Sequence, residues 1–164
     1  MRILAVDPGE KRIGIALSDP SGTIANPLTV LKHVSRAVDA ATIAQLALEH
    51  EAERIIVGQA LDDDNQPTAQ SRRAYRLAAA IRSQTRIPVE LWDESGSTQA
   101  AQAARISMGV SRRKRGGHMD DIAATYILQT YLDARDRSTK GHSDTTPLAE
   151  ERGNRTIGLC KQHL

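Results

Sequence analysis

The sequence has no phenylalanine, one tryptophan, three tyrosines and one cysteine among 164 residues. With so few rings, the core has to be built from Ile, Leu, Val and Ala. Scarce aromatics also argue against recognition by bases stacked on a ring-lined sheet. The lone Cys160 excludes a disulfide framework or a cysteine-based zinc site within one chain. No apolar run approaches the ~18 residues that a membrane-spanning helix needs. The chain opens on a strand pattern where a signal peptide would have a charged and then apolar start. These absences lead to the expectation of a cytoplasmic protein without a membrane partner. A dominant charge is lacking too. Lys and Arg number 22 against 20 Asp and Glu, so a nucleic-acid footprint must come from local clusters.

Such clusters are present. Arg112, Arg113, Lys114 and Arg115 are consecutive beside Gly116-Gly117, Arg72, Arg73 and Arg76 share one helical segment, and Lys11-Arg12 follow the first apolar run. The four-residue run reads as a phosphate-binding loop or as a merely solvated one. The length fits one domain. Strands are expected over residues 2–7, 12–18, 23–31 (interrupted by Pro27), 54–58 and 88–92. Helices are expected from the Ser35 cap to about residue 50, from about 68 to 84, from Ser97 or Thr98 to about 109, and from about 118 to 135. Two hairpin-type connections followed by alternating helices and strands predict an α/β mixed sheet with helices on its faces. Residues 137–164 carry no apolar period and are expected to be a disordered tail behind a domain of residues 1–136.

Three carboxylates stand at informative places. Asp7 ends the first strand, Glu94 follows the fifth, and Asp120 opens the last helix. If the strands ending near Asp7, Gly58 and Trp92 run parallel, their carboxyl ends share one sheet edge, where open α/β sheets place ligands. Asp120 heads the row Ala124, Ile127, Tyr131, which at helical spacing should face the sheet. Converging carboxylates repel and raise one another's pKa unless a cation joins them. A hard divalent ion such as Mg²⁺ suits oxygen ligands and phosphate substrates. The same three acids also fit a plainer reading, with Asp7 capping a turn and Glu94 and Asp120 as charges favoured at helix starts.

The run D-P-G-E-K-R-I-G-I-A-L-S-D at 7–19 is very similar to the opening motif of the YqgF/RuvX family. The run H-M-D-D-I-A-A-T-Y-I-L-Q-T-Y-L at 118–132 resembles that family's closing helix. Between them, I-I-V-G at 55–58 and W-D-E at 92–94 match in order and distance. The resemblance covers residues 1–136 and implies an RNase H-like mixed five-stranded sheet with helices on both faces. It also implies a metal-dependent nuclease of structured RNA that matures the small-subunit ribosomal RNA precursor, with resolution of branched DNA (Holliday junctions) as the alternative. By match, Asp7, Glu94 and Asp120 take the positions of the acidic catalytic triad and would hold Mg²⁺ or Mn²⁺. Lys11, Arg12, Arg72, Arg73, Arg112, Arg113, Lys114 and Arg115 are the expected nucleic-acid contacts, on a monomer or weak homodimer.

The chain departs from the family pattern at Ser95-Gly96, where an Arg-Leu pair is usual, and at Gln59-Ala60-Leu61, where Leu-Pro-Leu is usual. Losing that Arg removes a fork able to hold phosphate, which leaves a catalytically weakened nucleic-acid-binding protein as another reading. An ATP-binding relative, suggested by D-P-G-E-K-R-I-G, lacks a second domain to close over a nucleotide.

Overall fold

The structure, a computed structural model, describes residues 1–60, 64, 66–93 and 119–140, of which 119–121 as backbone only. Chain order is β1 (Ile3–Pro8), β2 (Arg12–Ser18), β3 (Ala25–Lys32), α1 (Arg36–Glu49), β4 (Arg54–Gln59), α2 (Ala69–Gln84), β5 (Val89–Asp93) and α3 (Met119–Lys140). Short turns join β1, β2 and β3, so these pair antiparallel. The helical crossovers α1 and α2 return the chain so that β4 lies parallel to β1 and β5 parallel to β4. The sheet order is β3-β2-β1-β4-β5.

Central strands need apolar side chains on both faces, which is why β1 and β4 read as unbroken apolar runs. Leu4, Val6, Ile13, Ile15, Ile55 and Val57 pack under α1 and α2. Ile3, Ala5, Ala16 and Ile56 pack under α3, against Ala124, Ile127, Leu128 and Tyr131. The fully buried isoleucines each stabilise the fold by roughly 1.5–3 kcal/mol through burial. The expected Ser35 cap forms, its hydroxyl accepting from the Val38 amide at 3.2 Å, and Thr68 caps α2 in the same way, accepting from the Ser71 amide at 3.1 Å. Among the described residues no helix is long and apolar enough to cross a membrane.

Two elements differ from their expected form. Pro27 does not interrupt β3, because β3 is an edge strand and its ladder with β2 shifts register between Ile15 and Ala16. Ile15 pairs with Thr29 and Ala16 with Pro27, so Leu28 is the extra residue of a bulge. The last helix runs five residues past its expected end, to Lys140. Its final turns are polar and are held by local bonds, among them Lys140 to Asp136 at 2.9 Å. The expected helix near 97–109 and residues 141–164 of the expected tail lie outside the described residues.

The β2–β3 turn is organised by Asp19. Its carboxylate accepts from the amides of Thr23 (2.7 Å) and Ile24 (2.9 Å) and from the Ser21 hydroxyl. These bonds, the Ile24 amide first, hold the Asp19 carboxyl at about 2 against an ordinary 3.8. A depressed folded-state pKa gives stability that is complete above the unfolded value and lost as pH falls through the folded one. The stability advantage of the wild type over Asp19→Asn should therefore be constant above about pH 5 and shrink between about pH 4 and 2. Urea unfolding of both proteins across that range tests this; a difference indifferent to pH would show that the charge is not what organises the turn.

Candidate active site

The pleat of β1 puts Ile3, Ala5 and Asp7 on the face covered by α3, and Leu4, Val6 and Pro8 on the other. Ile3 and Ala5 are fully buried there, whereas Asp7, at the strand's end, is half-buried. Its antiparallel neighbour in β2 is Gly14. Val6 pairs with Val57 in β4, so Gly58 is the next residue on that side. Asp7 thus lies between two strands whose adjacent residues, Gly14 and Gly58, carry no side chain. Because β1, β4 and β5 are parallel, their carboxyl ends share one edge, as the sequence led us to expect.

Contacts along α3 fix its direction. The Gln129 amide bonds to Ala25 N (3.0 Å) and Thr23 O (3.2 Å) at the start of β3. The Tyr131 hydroxyl accepts from Arg54 at 2.7 Å and donates to Glu90 at 3.2 Å. Leu132 shares a surface groove with Met1. The C-terminal half of α3 therefore sits at the edge where β1 begins, and the helix runs back toward the edge where β1 ends. About 18 Å of helix separate Leu132 from Asp120, close to the roughly 20 Å of strand from Met1 to Asp7. Trp92 ties β5 to the same helix: its indole N–H donates to Thr130 at 3.0 Å, and its ring meets Tyr131 edge-on with centroids 5.2 Å apart.

Of the three expected acids, then, Asp7 stands at the shared edge and Asp120 lies in the first turn of a helix directed there. Glu94, like Arg112, Arg113, Lys114 and Arg115, lies outside the described residues. Among the described residues no three His, Cys, Asp or Glu side chains gather as a metal site.

The turn from Pro8 to Lys11 carries the chain from Asp7 into β2 and is shaped by Gly9. A Cβ on Gly9 would lie 2.1 Å from the carbonyl oxygen of Arg12, far inside contact distance. Gly9→Ala should therefore push the turn apart, costing about 1–3 kcal/mol as overpacking does. A chemical denaturation curve measures that loss. An unchanged midpoint would mean that the turn yields without cost.

Lys11 and Arg12 are exposed at this edge, and the Lys11 carbonyl accepts from the His33 amide at 2.9 Å. Arg72 and Arg73 reach the edge as well, but from α2, on the sheet face opposite α3. Arg73 bonds to Glu10 at 3.2 Å. A cleft of about 420 Å³ opens there, between the Pro8–Lys11 turn, α1 and α2, and Arg36, Arg72, Arg73 and Arg76 line it. Sequence reasoning missed Asp39, which is 3% exposed, and its partner His33, whose Nδ1 lies 2.5 Å from it. The available signal was a carboxylate one turn before Ile43 on an apolar helix face.

A sheet in the order β3-β2-β1-β4-β5, helices on both faces and a carboxylate at the end of β1 define an RNase H-like protein. Two solved structures of Thermus thermophilus RuvC share the fold. The one in complex with Holliday junction substrate has a TM-score of 0.53 at 17% identity, covering 83% of this chain and 96% of that one. The other has 0.51 at 16%, covering 84% and 97%. The family model RuvX, described as Holliday junction resolvase, matches residues 1–134. A relative from Syntrophus aciditrophicus named "Putative pre-16S rRNA nuclease" is 41% identical over 82% of this chain and 89% of its own length. Relatives of the same name from Syntrophomonas wolfei (36%, over 81% and 94%) and Clostridium acetobutylicum (34%, over 82% and 99%) match as fully. The chain belongs to the RuvX family.

Proposed function

We propose that this protein is a metal-dependent endonuclease that hydrolyses phosphodiester bonds in structured RNA and processes precursor 16S ribosomal RNA in the cytoplasm. The observation that carries the reading is the placement of Asp7: a half-buried carboxylate between glycine-bearing strand neighbours, at the edge where three parallel strands end and toward which α3 runs. The names of its relatives point to the RNA substrate.

In this reading Asp7, Glu94 and Asp120 hold Mg²⁺ or Mn²⁺; an all-oxygen, anionic donor set suits a hard cation and would repel itself without one. Bound there, the ion supplies Lewis acidity and a water that is nucleophilic at neutral pH. The chain's own contribution is positional. β1 fixes Asp7 through its ladder on both sides, and α3 is anchored by Gln129, Thr130 and Tyr131. Lys11, Arg12 and the run of Arg112, Arg113, Lys114 and Arg115 neutralise and align the phosphate backbone on a monomer or weak homodimer.

The family description favours a second substrate, branched DNA. Purified protein offered precursor 16S ribosomal RNA and a four-way DNA junction in parallel, with Mg²⁺, Mn²⁺ or EDTA, separates the two. The expected result is metal-dependent cleavage of the RNA and none in EDTA. Cleavage of the junction alone would transfer the assignment to DNA, and cleavage that survives EDTA would remove the metal from it.

A further inference from the structure

The cleft on the α1/α2 side of the sheet is separate from the Asp7 face and is more cationic than a fold requires. Its floor is apolar, from Ile13 and Leu77, and four arginines rise around it: Arg36 from α1 and Arg72, Arg73 and Arg76 from α2. Two carboxylates oppose them, and both are already engaged. Asp39 is bonded to His33 and to the Val34 amide, and Glu10 to Arg73. Arg36, Arg72 and Arg76 have no ion pair among the described residues. Among the described residues that line the cleft, four arginines face two carboxylates, a surplus of two positive charges. A phosphodiester carries one negative charge, whereas a phosphate monoester approaches two at neutral pH. Arg36 is also the first residue of α1, so the positive end of a 14-residue helix faces the same space.

A second observation indicates what the phosphate is attached to. Arg72 and Arg76 are one turn apart on α2 and form a ridge, and a shallower groove of about 380 Å³ lies on its far side. Tyr75 lines that groove and is 61% exposed. An uncovered ring beside a row of guanidinium groups is the combination that holds a nucleobase and its phosphate together.

We propose that this cleft is a site for a phosphorylated nucleotide end: the monoester sits among Arg36, Arg72 and Arg76, and its base lies on Tyr75. This rests on the nucleic-acid reading above and assigns Arg72 a specific role within it. The ligand chemistry is shared by the phosphorylated terminus of a strand and by a free mononucleotide. As the terminus of a substrate, it would measure a fixed distance from the cut strand end to the Asp7 edge.

The test reads binding and not cleavage, so it stands even if the nuclease assignment fails. Fluorescence anisotropy in EDTA with the Asp7→Asn protein compares one single-stranded oligonucleotide phosphorylated at the 5′ end, at the 3′ end or at neither. One phosphorylated form should bind about tenfold more tightly than the unphosphorylated strand, the scale of one or two charge-assisted hydrogen bonds. The double variant Arg36→Gln/Arg76→Gln should erase that preference, so that the three strands bind alike. Tyr75→Ala should weaken the preferred strand about tenfold by removing the stack. Circular dichroism of each variant separates these effects from misfolding. Adenosine monophosphate competing at the same concentration as the phosphorylated strand would support the site with a free nucleotide as its source; failure to compete would support the strand end. Equal binding of all three strands, or a preference that survives in the double variant, would overturn the proposal.

Discussion

Asp7→Asn is expected to abolish cleavage while leaving the protein folded. The substitution replaces an anionic oxygen ligand by a neutral amide of the same size at the end of β1. The apolar packing of Ile3, Leu4, Ala5 and Val6, all fully buried, is untouched. If Glu94 and Asp120 meet Asp7 as proposed, removing one of the three carboxylates also relieves repulsion, so the metal-free variant should be no less stable than the wild type. Metal should reverse the order. A ligand that binds only the native state stabilises it by mass action, about 2.7 kcal/mol at a hundredfold excess over its dissociation constant. Thermal unfolding with and without Mn²⁺ should therefore show a clear rise for the wild type and little for Asp7→Asn. Normal cleavage by the variant, or an equal metal shift in both proteins, would mean that Asp7 is not a ligand.

The second large effect is expected at the start of α3, where two acids are adjacent. Consecutive helical residues point about 100° apart, so Asp120 and Asp121 cannot address one ion alike. Asp120→Asn should remove most of the activity. Asp121→Asn should cost a few tenths of a kcal/mol of stability through the helix dipole and little activity. Burial further along the helix supports the choice. One turn after Asp120 stands Ala124, fully buried against the sheet, and one turn after Asp121 stands Thr125, which is half-exposed. Single-turnover cleavage by both variants across a Mn²⁺ titration decides the matter. An inactive Asp121→Asn beside a healthy Asp120→Asn would shift the assignment by one residue.

The rows alone do not settle that choice, because Leu128 and Leu132 from the Asp121 row are buried as well as Ile127 and Tyr131 from the Asp120 row. This marks how far periodicity reaches. Four of the five strands were legible as short, largely apolar runs closed by Gly or a charge, and β3 more weakly, since Asn26 and Pro27 break its pattern. The first helix was legible because Ser35 caps it, whereas the Thr68 cap of α2 was not read from the sequence. The polar end of α3 was not legible, since its bonds, such as the Ser138 hydroxyl to the Ala134 carbonyl at 3.1 Å, leave no apolar mark. Of the candidate site, the sequence made legible the shared edge, which follows from parallel strands, and the place of Asp7 on it at the end of β1. The arginine cleft was hidden because it is assembled from a turn, a helix start and a helix middle far apart in the chain. The Asp39–His33 pair was hidden because its histidine sits in the connection before α1, outside any periodic element.

The bulge in β3 has a consequence for how copies of this protein meet. An edge strand can template the strand of another molecule when its outward amides and carbonyls form an even row. In β3 that row is spoiled twice within three residues: Pro27 has no N–H to offer, and the extra residue Leu28 throws the spacing of the remaining groups out of step. Lys32 adds an exposed residue with a charge at the strand's end. The sheet is therefore closed to sideways growth at this margin, and the protein can be crowded around its substrate without its sheets fusing into one another through β3.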